Sequence, residues 1–295
     1  MINETASMRT YIYAFLIIIL GHSVSAAPIA ALTLPVIPGQ AAHADPPKTD
    51  TKCYELRIYS CFPGRRDALI QRFKDDTRRV FAKHKMESIG YWLPADSSEY
   101  KLYYILAYPS RVARDSAWNA FHADPEWIEV ARKSEENGKL VEKVTSVFMN
   151  LADISPAIKP SKGKPANSAA TNRATGDHSA SSKATNRTFE LRTYYCPPGK
   201  LPNLLARFRD HTIKLFNRHG LESIAYWTTA DSAGLQPHLV YMLAHPSRDA
   251  AVADWAAFRS DQAWVSAKAD SEKDGPIVET TQSVFLTPLS FSAIR

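Results

Sequence analysis

The chain carries one sequence twice. Tyr54-Glu55-Leu56-Arg57-Ile58-Tyr59 returns as Phe189-Glu190-Leu191-Arg192-Thr193-Tyr194, an offset of 135 residues. The offset holds from Pro63-Gly64 (Pro198-Gly199) through Tyr91-Trp92 (Tyr226-Trp227). After an insertion near Gln236-Pro237 it becomes 137, and Pro109-Ser110-Arg111 then matches Pro246-Ser247-Arg248. A repeat of this length is a duplicated domain, not a solenoid period. Two such copies can build one shared structure, and residues kept in both can be separated from those that drifted.

Each copy predicts the order β-α-β-β-α-β. In the first, a strand over 54–61 ends at Pro63-Gly64, and a helix over about 65–84 carries Leu69, Phe73, Thr77, Val80 and His84 at helical spacing. Strands near 86–93 and 101–108 follow. Ser110 caps a second helix, Asp124-Pro125 restarts it, Gly138 stops it, and a last strand lies near 141–151. This is the split β-α-β pattern of ferredoxin-like domains. The chain therefore reads as an α+β protein with two tandem ferredoxin-like domains, 53–155 and 188–295, closing into one intramolecular barrel.

Charge excludes one class of partner. The net charge is +6, but residues 156–187 hold six Lys or Arg against one acid, while the two copies are nearly balanced. The basicity sits in a linker rich in Pro, Ser, Ala and Lys, expected to be disordered, and no basic stripe marks a nucleic-acid-binding face. At the N-terminus, Arg9, the apolar run 11–20 and Val24-Ser25-Ala26 read as a secretory signal cleaved before Ala27. Met8 is an alternative start. Residues 27–52 are Ala- and Pro-rich and expected to be disordered. A periplasmic or secreted location follows, with no transmembrane segment after cleavage; an uncleaved anchor is the alternative, although the run is short for a span. Cys53, Cys61 and Cys196 form no even framework and read as small apolar fillers.

The first strand alternates between Tyr54, Leu56, Ile58 and Glu55, Arg57, Tyr59. The second set is kept as Glu190, Arg192 and Tyr194, while helix positions such as Asp76 and Arg78 became His211 and Ile213. Glu142, Ser146 and Phe148 are likewise kept as Glu279, Ser283 and Phe285. The retained polar face is expected to be the one helices leave open, packed across the pseudo-twofold axis to line the barrel interior. Buried Arg and Glu must pair there. Two readings stand: a structural ion-pair cluster, or a ligand site.

These residues resemble the NIPSNAP family of the dimeric α+β barrel superfamily, through Glu-Leu-Arg-x-Tyr, Pro-Gly, Tyr-Trp and Pro-Ser-Arg with a Trp downstream. The resemblance covers both copies and implies a ferredoxin-like fold closing into a barrel. The superfamily includes small-molecule monooxygenases, isomerases, lyases and haem-handling enzymes.

On the functional reading the interior binds a small anionic or aromatic molecule. Arg57 and Arg192 anchor it and Tyr59 and Tyr194 orient it. Tyr91, Trp92, Tyr226 and Trp227 supply aromatic surface. Glu55, Glu190, Glu142 and Glu279 are the candidate proton carriers for cofactor-free oxygenase or isomerase chemistry. His84 and His219 end the first helix of each copy, as partners of the helix dipole or as base or haem ligand. No metal-ligand spacing, phosphate loop or nucleophile motif is present, and haem enters only by analogy. The alternative is a filled barrel acting as a non-catalytic, protein-interacting or envelope-associated module. On either reading the chain is expected to be a monomeric pseudo-dimer, open to further association.

Overall fold

The computed structural model describes residues 50–160, 187–230 and 237–295. The segment expected to be a secretory signal, most of the 27–52 segment and nearly all of the expected linker lie outside the described residues.

In the first copy, β1 (Cys53–Cys61) leads to α1 (Arg66–Arg72) and α2 (Arg78–Lys83), joined by a π-helical turn over Phe73–Thr77. Then come β2 (Glu87–Pro94), β3 (Lys101–Tyr108), α3 (Arg111–Ala123), α4 (Pro125–Ser134) and β4 (Val141–Leu151). The second copy repeats this as β5 (Thr188–Tyr195), α5 (Leu201–Arg207), a π-helical turn over Phe208–Thr212, α6 (Ile213–Arg218), β6 (Glu222–Ala230), β7 (Leu239–His245), α7 (Arg248–Ser260), α8 (Gln262–Ser271) and β8 (Thr280–Pro288). The expected caps form. Ser110 Oγ accepts from the Ala113 amide, and Asp124 accepts from the Glu126 amide with Pro125 in the first turn.

The π turns are a retained irregularity. Thr77 Oγ1 donates to the Arg72 carbonyl at 3.2 Å and Thr212 to that of Arg207 at 3.1 Å. Each arginine is buried and ties its helix to the neighbouring one: Arg72 to Glu135 at 3.1 Å, Arg207 to Glu272 at 2.7 Å.

The eight strands form one closed antiparallel barrel in the order β1-β3-β2-β8-β5-β7-β6-β4. Each copy contributes a four-stranded sheet. The seams are short: β2 meets β8 over Trp92–Pro94, and β4 meets β6 over Phe148–Leu151. Past each seam the chain clasps the opposite copy. Ser155 Oγ accepts from the Tyr226 amide and Ser292 Oγ from the Tyr91 amide, both at 3.0 Å.

Three apolar clusters follow from this closure. One draws on both copies, including Tyr54, Leu56, Trp92, Phe189, Leu191 and Trp227, and fills the barrel. The others lie between each sheet and its own helices, around Phe73, Phe81 and Tyr104 in the first copy and around Phe208, Phe216 and Tyr241 in the second. The interior is thus apolar, which corrects the expected polar lining. The face bearing Tyr54 and Leu56 turns inward, and the face bearing Glu55, Arg57 and Tyr59 turns to the helices. The physical reason is supply of donors: α3 brings hydrogen-bonding groups to Glu55, whereas the interior is walled by apolar side chains of all eight strands.

A bulge in β2 at Ser88/Gly90, matched in β6 at Ser223/Ala225, sends Tyr91 outward and Trp92 inward. A Cβ on Gly90 would lie 2.2 Å from Trp92 Cη2. Gly90→Ala is therefore expected to cost about 1–3 kcal/mol through displacement of Trp92, read as a lowered urea midpoint.

Candidate functional site

The chemistry-bearing residues gather on the outer face of the barrel, beneath α3 in the first copy and α7 in the second. Glu55 is fully buried there, and six side-chain groups donate to it. Oε1 accepts from Arg57 at 2.6 Å, Arg114 at 2.7 Å and Ser146 at 2.7 Å. Oε2 accepts from Arg114 Nε at 3.0 Å and from Tyr108 and Trp118 at 3.2 Å. Burial alone would raise this carboxyl. The Arg114 hydrogen bonds, the Arg57 charge and the Ser146 hydroxyl outweigh it and hold the group at about 2.

The second copy builds a thinner version. Glu190 Oε1 accepts from Arg192 and Ser283 at 2.5 Å, and Oε2 from Trp255 at 2.7 Å. Ala251 stands where Arg114 stands, and His245 replaces Tyr108. The buried His245 places Nε2 3.3 Å from Glu190 Oε2, off a good hydrogen-bond line, and its Nδ1 has no hydrogen-bond partner among the described residues. Burial raises the Glu190 carboxyl, but His245, Arg192, Ser283 and Trp255 together bring it to about 2.

Arg57 and Arg192 are mostly covered, with 11% and 17% of the side chain exposed. Arg57 Nε also donates to Tyr104 at 2.8 Å and its guanidinium lies 4.2 Å from the Trp118 ring centre. At the rim the sheet face opens on β4 and β8. Ser146 and Ser283 are exposed, and Phe148 and Phe285 are half-buried. Arg111 stacks 3.4 Å over Phe148 and Arg248 3.5 Å over Phe285. That stack accounts for the arginine of the Pro-Ser-Arg motif.

The other predicted residues disperse. Glu142 and Glu279 are exposed; Glu142 lies four residues along β4 from Ser146, roughly 13 Å away. Tyr59 and Tyr194 lie beside their arginines on the outer face, at 3.3 and 3.5 Å. Tyr91 and Tyr226 stack on Tyr104 and Tyr241 inside the helix-covered clusters. Trp92 and Trp227 belong to the barrel interior. His84 and His219 bond Asp124 and Asp261 at 2.7 Å, the aspartates that cap α4 and α8, and so lock one helix end to the next helix start.

Sequence reasoning missed Arg114, Tyr108, Trp118 and Trp255 as partners of the two carboxylates. A signal existed: Trp118 and Trp255 are kept, while Arg114 and Tyr108 changed together in the second copy. The three cysteines are buried, and burial pushes the Cys61 and Cys196 thiols up to about 11. Among the described residues no group of His, Cys, Asp and Glu could hold a metal ion, and no helix is long and apolar enough to cross a membrane.

Two βαββαβ halves closed by eight antiparallel strands make this a dimeric α+β barrel assembled within one chain. The NIPSNAP family model matches residues 54–156 and 189–293, so the chain belongs to the NIPSNAP family. No curated protein matches it. Among solved structures it is similar to a candidate monooxygenase from Lactobacillus acidophilus, at 10% identity and TM-score 0.52 over 83% of this chain and 96% of that one. It is similar to an anthrone oxidase-like protein at 13% identity and TM-score 0.50, over 83% and 94%. A NIPSNAP family protein of unknown function from Agrobacterium tumefaciens is 23% identical over 38% of this chain and 96% of that one, with TM-score 0.33.

Proposed function

We propose that this NIPSNAP-family chain works outside the cytoplasm, after loss of its leader, as a receptor for a small anionic aromatic molecule. The molecule lies on the outer shelf of each half, where β1 and β4 meet α3 and where β5 and β8 meet α7. One observation carries this reading: three arginines, Arg57, Arg111 and Arg114, converge on Glu55 and the Phe148 ring, and the rim beside them is open at Ser146. Among the described residues Asp115 is the other carboxylate there, paired with Arg114 at 3.0 Å and with Arg111 at 3.6 Å. The shelf therefore sets three guanidinium groups beside an aromatic surface, which suits a carboxylate or phenolate on a flat body. Glu55 and Glu190 stay ionised near neutral pH and sit behind their donors, so their part is to position the arginines rather than to carry protons.

Native mass spectrometry of the full chain purified from its own host tests the reading. Extra mass is expected that is released on denaturation and absent from the Arg111→Ala, Arg248→Ala double variant. Both arginines are at the surface, so the variant should fold. A bare wild-type mass that also shows no saturable benzoate binding, or extra mass retained by the variant, would sink the proposal.

A further inference from the structure

A second cavity lies away from the shelf, and the two copies line it differently. It has a volume of about 430 Å³ between α2, the start of β2 and the C-terminal segment that crosses over from the second copy. Arg78, Ala82 and Lys85 line it at a spacing of i, i+4 and i+7, so they share one side of the helical run. The Arg78 guanidinium stacks 4.6 Å from the Phe291 ring centre. Neither Arg78 nor Lys85 has a carboxylate partner among the described residues. Glu87, also on the wall, is engaged by Lys52 at 2.6 Å. The floor holds a hydroxyl pair, Ser88 Oγ and Tyr91 Oη, 2.6 Å apart.

Lys85 has φ 59° and is the non-glycine residue with positive φ among those described. It ends α2 in the left-handed region that glycine adopts without a Cβ clash, and the second copy places Gly220 there at φ 77°. A lysine here carries backbone strain that glycine avoids, and its side chain lines the cavity. The rest of the second copy agrees. Ile213 stands for Arg78 and Ile154 for Phe291, and the cavity at the equivalent place has its arginine, Arg209, bonded to Asp153 at 2.7 Å. Arg78, Lys85 and the Phe291 ring are thus replaced together in the second copy, whose cavity is lined instead by Arg209, held by Asp153, and by Lys214.

We infer that this cavity, formed by the first copy and the C-terminal segment, binds a small dicarboxylate with an apolar body: Arg78 on Phe291 holds one carboxylate, Lys85 holds the other, and the body lies over Ala82 and the Ser88–Tyr91 pair. The helix rise separates the two cationic positions by roughly 10 Å along the axis, and their flexible side chains close on a shorter molecule.

Terephthalate is the probe, titrated into the full chain with amide NMR shifts read at Ser88, Tyr91 and Phe291. Saturable shifts at those residues are expected. Arg78→Ile and Lys85→Gly install the residues the second copy already folds with; each should weaken binding about tenfold, and the double variant should abolish it. Neutral terephthalamide should leave the shifts unchanged. Shifts that survive in the folded double variant, that fall elsewhere, or that the diamide reproduces would overturn the assignment.

Discussion

Glu55→Ala is expected to destabilise the chain by roughly 3–5 kcal/mol, because it removes the carboxylate from a buried network and leaves its cations behind. Arg57 and Arg114 would keep 11% and 18% of their side chains exposed, too little for water to replace the lost partner. Tyr108 would lose an acceptor and Trp118 one of its two, Glu55 and the Tyr108 hydroxyl at 2.9 Å. The internal control is Arg114→Ala, which copies the Ala251 of the second half. It is expected to cost only about 1–2 kcal/mol, since Glu55 keeps Arg57, Ser146, Tyr108 and Trp118. Urea unfolding of the two variants separates the cases, and equal losses would show that the carboxylate is not the hub.

Acid is expected to unfold the protein through the same groups. Glu55 and Glu190 each sit at about 2 when folded against an ordinary 4.5. A depressed carboxyl contributes stability above its unfolded pKa and loses it as pH falls toward its folded one. Each group should therefore contribute about 3 kcal/mol near neutral pH, lost between about pH 5 and pH 2. Together the loss is about 6 kcal/mol, comparable with the whole stability of an ordinary domain. Urea midpoints followed by circular dichroism from pH 7 downward should fall steeply below pH 5. Glu55→Gln should remove the Glu55 share of that fall, about 3 kcal/mol; an unchanged slope would place the acid sensitivity elsewhere.

The order of elements was legible because it is written in local chemistry. Pro63-Gly64, the Ser110 cap, the Asp124-Pro125 restart and Gly138 act on their own neighbours, and the duplication repeats each signal. The shared barrel was legible because two half-folds of one chain have matching strands to offer. Which face of β1 turned inward was not. Period-two alternation separates Glu55, Arg57 and Tyr59 from Tyr54, Leu56 and Ile58, but it does not say which set meets helices. That depends on Arg114 and Trp118, about 60 residues downstream. Retention of Glu55 and Arg57 in both copies marked them as tied to something; a buried ion pair and a ligand site leave the same mark. The π turns escaped notice because Phe73 and Thr77 fit an ordinary helical spacing equally well.

The crossed ends have a consequence for inheritance of damage. Ser292 belongs to the second copy in sequence, yet its hydroxyl holds the Tyr91 amide of the first. Phe291 packs on Tyr91 at 5.4 Å between ring centres. A premature stop just after Leu289 would leave the second half with every strand and helix of its own. The injury would reach into the half translated first, besides the shared core that Ile294 enters, so a lesion mapped to the end of the reading frame should also be sought, as a phenotype, near its beginning.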